Sequence, residues 1–212
     1  MAFIFIKTLF LFVSFSGLIL HAHAHTARSP QARVWSLCKY TTNPVVCYKT
    51  IIPYAIGVKK FNYYQALEVE ILATRDLVMN TTNLISVLLA NPGNSKDLKD
   101  SLQTCFEQYD NIKDSIKESL NLVAQRNVIE MRFKFSAVLS YLAACTDEFP
   151  NSPIEKEGQD LFDLGGNCLD IMKAIEDRES RLRPGASPVP TPIVVTPPSA
   201  PSPCQNVIGP CS

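Results

Sequence analysis

The sequence predicts an all-α protein: an up-down-up-down four-helix bundle, preceded by a cysteine-clipped helical hairpin or turn and followed by a disordered proline-rich tail. Three observations carry this expectation. Four segments between residues 61 and 182 repeat apolar side chains at three- and four-residue steps. The links between them are short and rich in Asn, Pro or Gly, so consecutive helices must run antiparallel. No stretch alternates apolar and polar residues as a half-buried strand would. Of the 212 residues, 46% are hydrophobic, enough for one real core.

The chain opens on Met1 to Leu20, which is almost wholly apolar with Lys7 as its only charge. Lys7 supplies a short positive region, Thr8 to Leu20 an apolar run, and Ala22-His23-Ala24 a small-residue cleavage site. Residues 1–24 therefore read as a secretory signal, and the run is short for the roughly 20 residues of a membrane span. The mature product is expected to be soluble and extracellular, with no membrane attachment after cleavage.

Secretion makes disulfides the default state of the seven cysteines. No CxxC string occurs, which argues against a zinc ribbon or a thioredoxin site. Sequence does not fix connectivity. Spacing suggests Cys38–Cys47 as a local clip, Cys204–Cys211 as a tail clip and Cys105–Cys145 as a bridge between distant segments. Cys168 is then left as a free thiol. In the loop-entropy account, closing about 40 residues contributes roughly 4 kcal/mol and about nine residues roughly 2.5.

The helices follow in order. Cys38 to Cys47, with Pro44 between them, suggests a tight helical hairpin or turn. The first long helix spans about 61–90, with Asn62 as N-cap, Asn91-Pro92-Gly93 as stop, and Tyr64, Leu67, Ile71, Val78, Ile85 and Leu88 on one face. The second has the cleanest period, through Leu98, Leu102, Cys105, Tyr109, Ile112, Ile116 and Leu120, with Asn94 or Ser95 as cap. The third runs from about Val128 to Cys145 through Met131, Phe135, Val138 and Leu142, and ends before Pro150 and Pro153. The fourth runs from about Ile154 to Leu182 with Leu161, Leu164, Cys168, Ile171 and Ile175 inward. Gly165-Gly166 sits inside it and weakens the helix by about 1 kcal/mol per glycine. These stripes read as bundle core rather than as cofactor sites.

From residue 184 the composition changes. Residues 184–203 hold eight prolines and no charge, a stretch that favours extended polyproline II and cannot build a core. It reads as a disordered linker or tail, and is similar to the proline-rich modules of plant cell-wall proteins. The expected organisation is a signal over 1–24, a domain over 25–183 (hairpin 34–60, bundle 61–183) and a tail over 184–212. Asn80-Thr81-Thr82 is an N-glycosylation sequon with Asn80 as acceptor.

Charge and motifs exclude several functions. The 20 basic and 20 acidic side chains balance, leaving no global basic field for nucleic acid. The eight glycines form neither GxGxxG nor GxxxxGK[ST], so no nucleotide cofactor is expected. All three histidines, His21, His23 and His25, lie at the signal, and cleavage leaves at most one. A Ser-His-Asp triad, a Cys-His pair or a His-built metal site is thereby removed. Asp147 and Glu148 are adjacent carboxylates, read as surface residues after the third bundle helix. No catalytic, cofactor-binding or metal-ligating residue is expected. Charge is uneven along the chain: residues 147–179 hold ten acidic and three basic side chains, read as a solvated face or as a surface that steers a basic partner.

Several motifs occur together and in order. They are Cys38-x2-Thr41-x2-Pro44-x2-Cys47, Leu102-x2-Cys105-x3-Tyr109, Ser136-Ala137-Val138-Leu139-Ser140 and Cys145-x-Asp147-x-Phe149. With the secretory signal and the bundle pattern, they resemble the plant invertase and pectin methylesterase inhibitor family over about residues 34–180. The resemblance implies an N-terminal helical hairpin followed by a four-helix bundle, with disulfides at Cys38–Cys47 and Cys105–Cys145. It implies a secreted, cell-wall (apoplast) protein that stoichiometrically inhibits a carbohydrate-active enzyme and is not itself an enzyme. Gly165-Gly166-Asn167-Cys168 departs from the pattern by interrupting the last helix, and the tail lies outside it.

Within the family, pectin methylesterase inhibitors use mainly the second and third bundle helices to cover the pectin cleft. Invertase inhibitors are associated with a Pro-Lys-Phe segment, which this chain lacks. The resemblance thus favours pectin methylesterase as a 1:1 partner, with invertase as the alternative. A non-inhibitory wall-structural or binding role is the reading from another class, and the pro-region of a pectin methylesterase is a third. The individual contact residues are not given by the motifs.

Overall fold

A computed structural model describes residues 29–147, 149 and 151–182. The expected signal over 1–24, the expected tail over 184–212 with its Cys204–Cys211 pair, and Glu148 lie outside the described residues. Six helices and no strand occur among the described residues: α1 (Pro30–Cys38), α2 (Pro44–Ala55), α3 (Tyr63–Ala90), α4 (Lys96–Gln125), α5 (Val128–Asp147) and α6 (Glu155–Leu182). The first two form the hairpin and the last four the bundle.

Each helix starts where local chemistry satisfies its free N–H groups. Ser29 and Asn43 cap α1 and α2, each followed by a proline whose missing N–H costs nothing at that position. Asn62 caps α3 in a reciprocal box with Gln65, at 3.1 and 3.0 Å. Ser95, rather than Asn94, caps α4, accepting from Leu98 N. Asn94 instead closes the preceding helix by donating to the Leu88 carbonyl at 2.7 Å. At the end of α4 Arg126 takes φ +54°, and the chain turns at once into α5.

The bundle helices pack in the ring α3–α4–α5–α6, so α3 and α5 are diagonal. Leu102, Cys105, Tyr109, Ile112 and Ile116 of α4 are buried, as are Val128, Met131, Phe135, Val138, Leu142 and Cys145 of α5. Leu98 and Leu120 of α4 are only half-buried, and Ser119 and Leu122 take over the inward face at its end. The drift follows from the 3.6-residue turn, which a strict four-residue step outruns. Cys105 is bonded to Cys145 across α4 and α5, and Cys38 to Cys47 across the hairpin.

One expectation is corrected. Gly165-Gly166-Asn167-Cys168 does not interrupt the last helix, which runs unbroken through it. The glycines instead clear space for neighbours. A Cβ on Gly166 would lie 2.5 Å from Thr42 Oγ1, and one on Gly165 would lie 2.8 Å from Leu139 Cδ2. The glycine penalty is offset by the close approach of the hairpin turn and α5.

That approach fixes the hairpin. Asp170 Oδ2 accepts from the Thr42 backbone N–H at 2.7 Å and from its hydroxyl at 2.8 Å. Asn167 Oδ1 accepts from Asn43 N–H at 2.7 Å, and its Nδ2 donates back to the Asn43 carbonyl at 3.2 Å. Asn43 Nδ2 donates to Asp163 Oδ2 at 2.7 Å. Positions 163, 166, 167 and 170 share one face of α6, the i, i+3, i+4, i+7 set of an α-helix. Bonds to charged acceptors contribute about 1.5–3 kcal/mol each, so this set anchors the turn firmly.

Candidate functional site: the outer face of α5

The second and third bundle helices are α4 and α5. The motif residues on them mostly face inward. Leu102, Cys105, Tyr109, Val138 and Cys145 are buried, and Phe149 is half-buried. Ser136, Ser140 and Asp147 point outward, the two serines bonding back to the carbonyls of Phe133 and Ser136 in their own helix. The motifs therefore specify core and disulfide, and the exposed residues between them form the surface.

On that surface Phe133 is 75% exposed and Ile129, one turn earlier, 59% exposed. These two apolar side chains stand one turn apart on the outer face, where a solvated helix carries polar ones. They edge a groove of about 520 Å³ between α5 and α6, lined also by Arg132, Ser136, Lys173 and Glu176. Farther along the same pair of helices a groove of about 900 Å³ is lined by Leu139, Leu142, Ala143 and Phe162. The outer side of α4 is polar instead. Lys134 of α5 reaches Glu118 of α4 at 3.0 Å, and Arg132 pairs with Glu176 of α6.

The acidic surplus of residues 147–179 is largely consumed inside the molecule. Asp163 and Asp170 hold the hairpin turn, and Glu179 accepts from the Tyr64 hydroxyl at 2.7 Å. Burial, together with that bond, pushes the Tyr64 phenol up to about 12. Asp160 and Asp177 pair with Lys156 and Lys173 one turn away, contacts worth little on an exposed face.

The other expected site residues are structural. Cys168 is fully buried with its Sγ 3.6 Å from Thr74 Oγ1, and burial together with nearby Glu70 holds its thiol far above the ordinary range. Such a thiol is a poor nucleophile. Asn80 is exposed on α3, while Thr82 of the same sequon is buried with its hydroxyl bonded to the Val78 carbonyl. Asp147 ends α5 in solvent. Among the described residues no cluster of three His, Cys, Asp or Glu side chains could hold a metal ion, and no helix is long and apolar enough to cross a membrane.

Two residues escape the sequence reading. Glu70 and Thr74 sit on the buried face of α3, between the apolar positions that define its period. Their step from Leu67 and Ile71 was the available signal, masked by their polar identity.

A disulfide-clipped hairpin docked on a four-helix bundle defines a small all-helical, disulfide-linked fold. The chain belongs to the plant invertase/pectin methylesterase inhibitor family, whose family model matches residues 33–171. Members of this family are inhibitors, not enzymes, and typically extracellular. Two solved structures are similar in fold. A pectin methylesterase inhibitor from Arabidopsis thaliana is 18% identical, with a TM-score of 0.52, covering 68% of this chain and 95% of that one. A mutant form of an Arabidopsis pectin methylesterase inhibitor is also 18% identical, with a TM-score of 0.57 and coverage of 65% and 93%. Among curated proteins no sequence matches significantly.

Proposed function

We propose that this protein is a secreted inhibitor of pectin methylesterase in the plant cell wall, binding one enzyme per inhibitor and blocking polymer entry to the cleft. The observation that carries the reading is the exposed Phe133–Ile129 pair on α5, one of the two helices that the family's pectin methylesterase inhibitors lay over their target. A solvent-exposed aromatic beside an aliphatic neighbour is the kind of anchor that dominates binding energy when buried. A cap of this sort needs a standard interface of about 1,600 Å² in total. The missing Pro-Lys-Phe segment supports pectin methylesterase over invertase.

The inhibitory domain of this reading spans residues 25–183, after removal of residues 1–24. A glycan on Asn80 would project from α3, diagonal to α5, and leave the binding face open. The test is titration of the purified mature chain into plant pectin methylesterase and invertase activities. An endpoint near one inhibitor per pectin methylesterase supports the reading. Inhibition of invertase alone reassigns the target, and inhibition of neither overturns it.

A further inference from the structure

Glu70 occupies a place where a carboxylate is costly. It is 0% exposed, and neither carboxyl oxygen has a hydrogen bond of proper geometry. A buried carboxyl with no cation beside it stays protonated, because desolvation penalises the charged form. Burial raises Glu70 to about 8, and the Asn167 side chain offsets only part of that rise.

The surroundings explain why nothing compensates. The elements packed on α3 are α2, α4 and α6. The buried face of α2 presents Cys47, Ile51 and Ala55, with no titratable group because Cys47 is in a disulfide. The buried face of α4 carries one titratable group, Tyr109, which neighbours Thr81 about 16 Å along α3 from Glu70 at 1.5 Å per residue. On α6 the group acting with Glu70 is the Cys168 thiol, also uncharged. Asp163 and Asp170 of α6 face the hairpin turn and are occupied by it. No lysine, arginine or histidine lies on these buried faces.

The side chain that acts on the Glu70 carboxyl from α6, Asn167, also reaches the hairpin. Its amide exchanges two hydrogen bonds with the Asn43 backbone, and Asn43 is the N-cap of α2. The amide has one further N–H to offer. An ionised Glu70 would demand that N–H and water as well, and both demands pull on the group that holds the turn.

We propose that Glu70 is a proton-operated latch on the hairpin: its neutral carboxyl lets Asn167 hold Asn43, and its ionisation draws Asn167 away and loosens the turn, leaving only the Asp163 and Asp170 bonds to hold it on α6. The sign follows from linkage. The proton is held more tightly in the docked state, so docking is fully stable below the ordinary glutamate range near 4.5. It weakens as pH rises, by up to about tenfold in the docked-to-undocked ratio per pH unit, and levels off above about 8. The device is independent of which enzyme the protein inhibits.

Amide hydrogen exchange on the disulfide-intact chain, corrected for intrinsic base catalysis, tests the latch. Between about pH 5 and 8 the protection of residues 42–55 should fall by up to about tenfold per unit, while α4 and α5 keep theirs. Glu70→Gln should remove the pH dependence in the hairpin. An unchanged slope in Glu70→Gln, a flat wild-type profile, or equal loss across all six helices overturns the proposal. Infrared spectroscopy supplies an arm that needs no variant. The wild type should show a protonated carboxylic acid band at about pH 6.5 that titrates away near 8, and its absence at the lower pH is equally fatal.

Discussion

Gly166 of α6 lies so close to Thr42 of the hairpin turn that no side chain fits between them. A Cβ at Gly166 would meet Thr42 Oγ1 at 2.5 Å and Thr42 Cβ at 2.8 Å. Thr42 has no freedom to retreat, because its N–H and hydroxyl are both bonded to Asp170. At Gly165 the obstacle is the end of the Leu139 side chain at 2.8 Å, which can rotate. Only Gly166 should therefore lose stability when replaced by alanine. Gly166→Ala should cost about 1–3 kcal/mol by overpacking. Gly165→Ala should be neutral or stabilising by up to about 1 kcal/mol through helix propensity. Thermal unfolding of both variants, monitored by circular dichroism, checks this. Equal shifts would mean the hairpin turn does not press on α6.

The covalent tie between α4 and α5 encloses the longer loop of the two observed disulfides, 40 residues against 9. Replacing Cys105 and Cys145 together by serine should destabilise the protein by about 2–5 kcal/mol, more than replacing Cys38 and Cys47. Denaturant melts of the two double variants give the comparison. A larger loss from the hairpin pair would show that strain or residual unfolded structure outweighs loop length.

The Cys168 thiol is buried, and its proton is held well above the ordinary range by burial and by Glu70. Native alkylation with iodoacetamide near neutral pH should leave it unmodified for hours, while denaturation exposes it at once. Rapid native labelling of Cys168 would place it at an opening of the bundle and refute the packing.

If the α5 face is the anchor for the enzyme, truncating its most exposed aromatic should act on binding alone. Phe133→Ala should change the unfolding free energy by no more than an ordinary surface substitution does, about ±0.5 kcal/mol. It should weaken inhibition of pectin methylesterase by at least about tenfold, the loss of an anchor side chain. An inhibition curve identical to wild type would move the interface elsewhere.

Removing residues 184–212 should change neither the helical signal nor the inhibition. The last described helix ends at Leu182, and the segment from Pro184 to Pro203 holds eight prolines and no charge. Loss of either property would draw the tail into the inhibitory domain.

The helices and their faces were legible in the sequence because their signals are local. Asn62 marks one helix start and the Asn94-Ser95 pair another within one turn, and the three- and four-residue steps from Leu102 to Ile116 choose the inward side of α4 without help from any other element. The cysteine and motif pattern likewise pointed to the family, since its spacings are one-dimensional. Tertiary structure alone decided what the polar and glycine positions do. Glu70 and Thr74 do not belong to the apolar stripe that the sequence defines, yet they are buried because α6 closes over them. Gly165 and Gly166 read as a helix defect, yet they make room for Leu139 and for Thr42, more than 120 residues away in the chain. Asp163 and Asp170 read as part of a solvated acidic run, yet they bind the hairpin turn. A polar group or a missing side chain has no preferred side until its partner arrives, and every one of these partners comes from a distant segment.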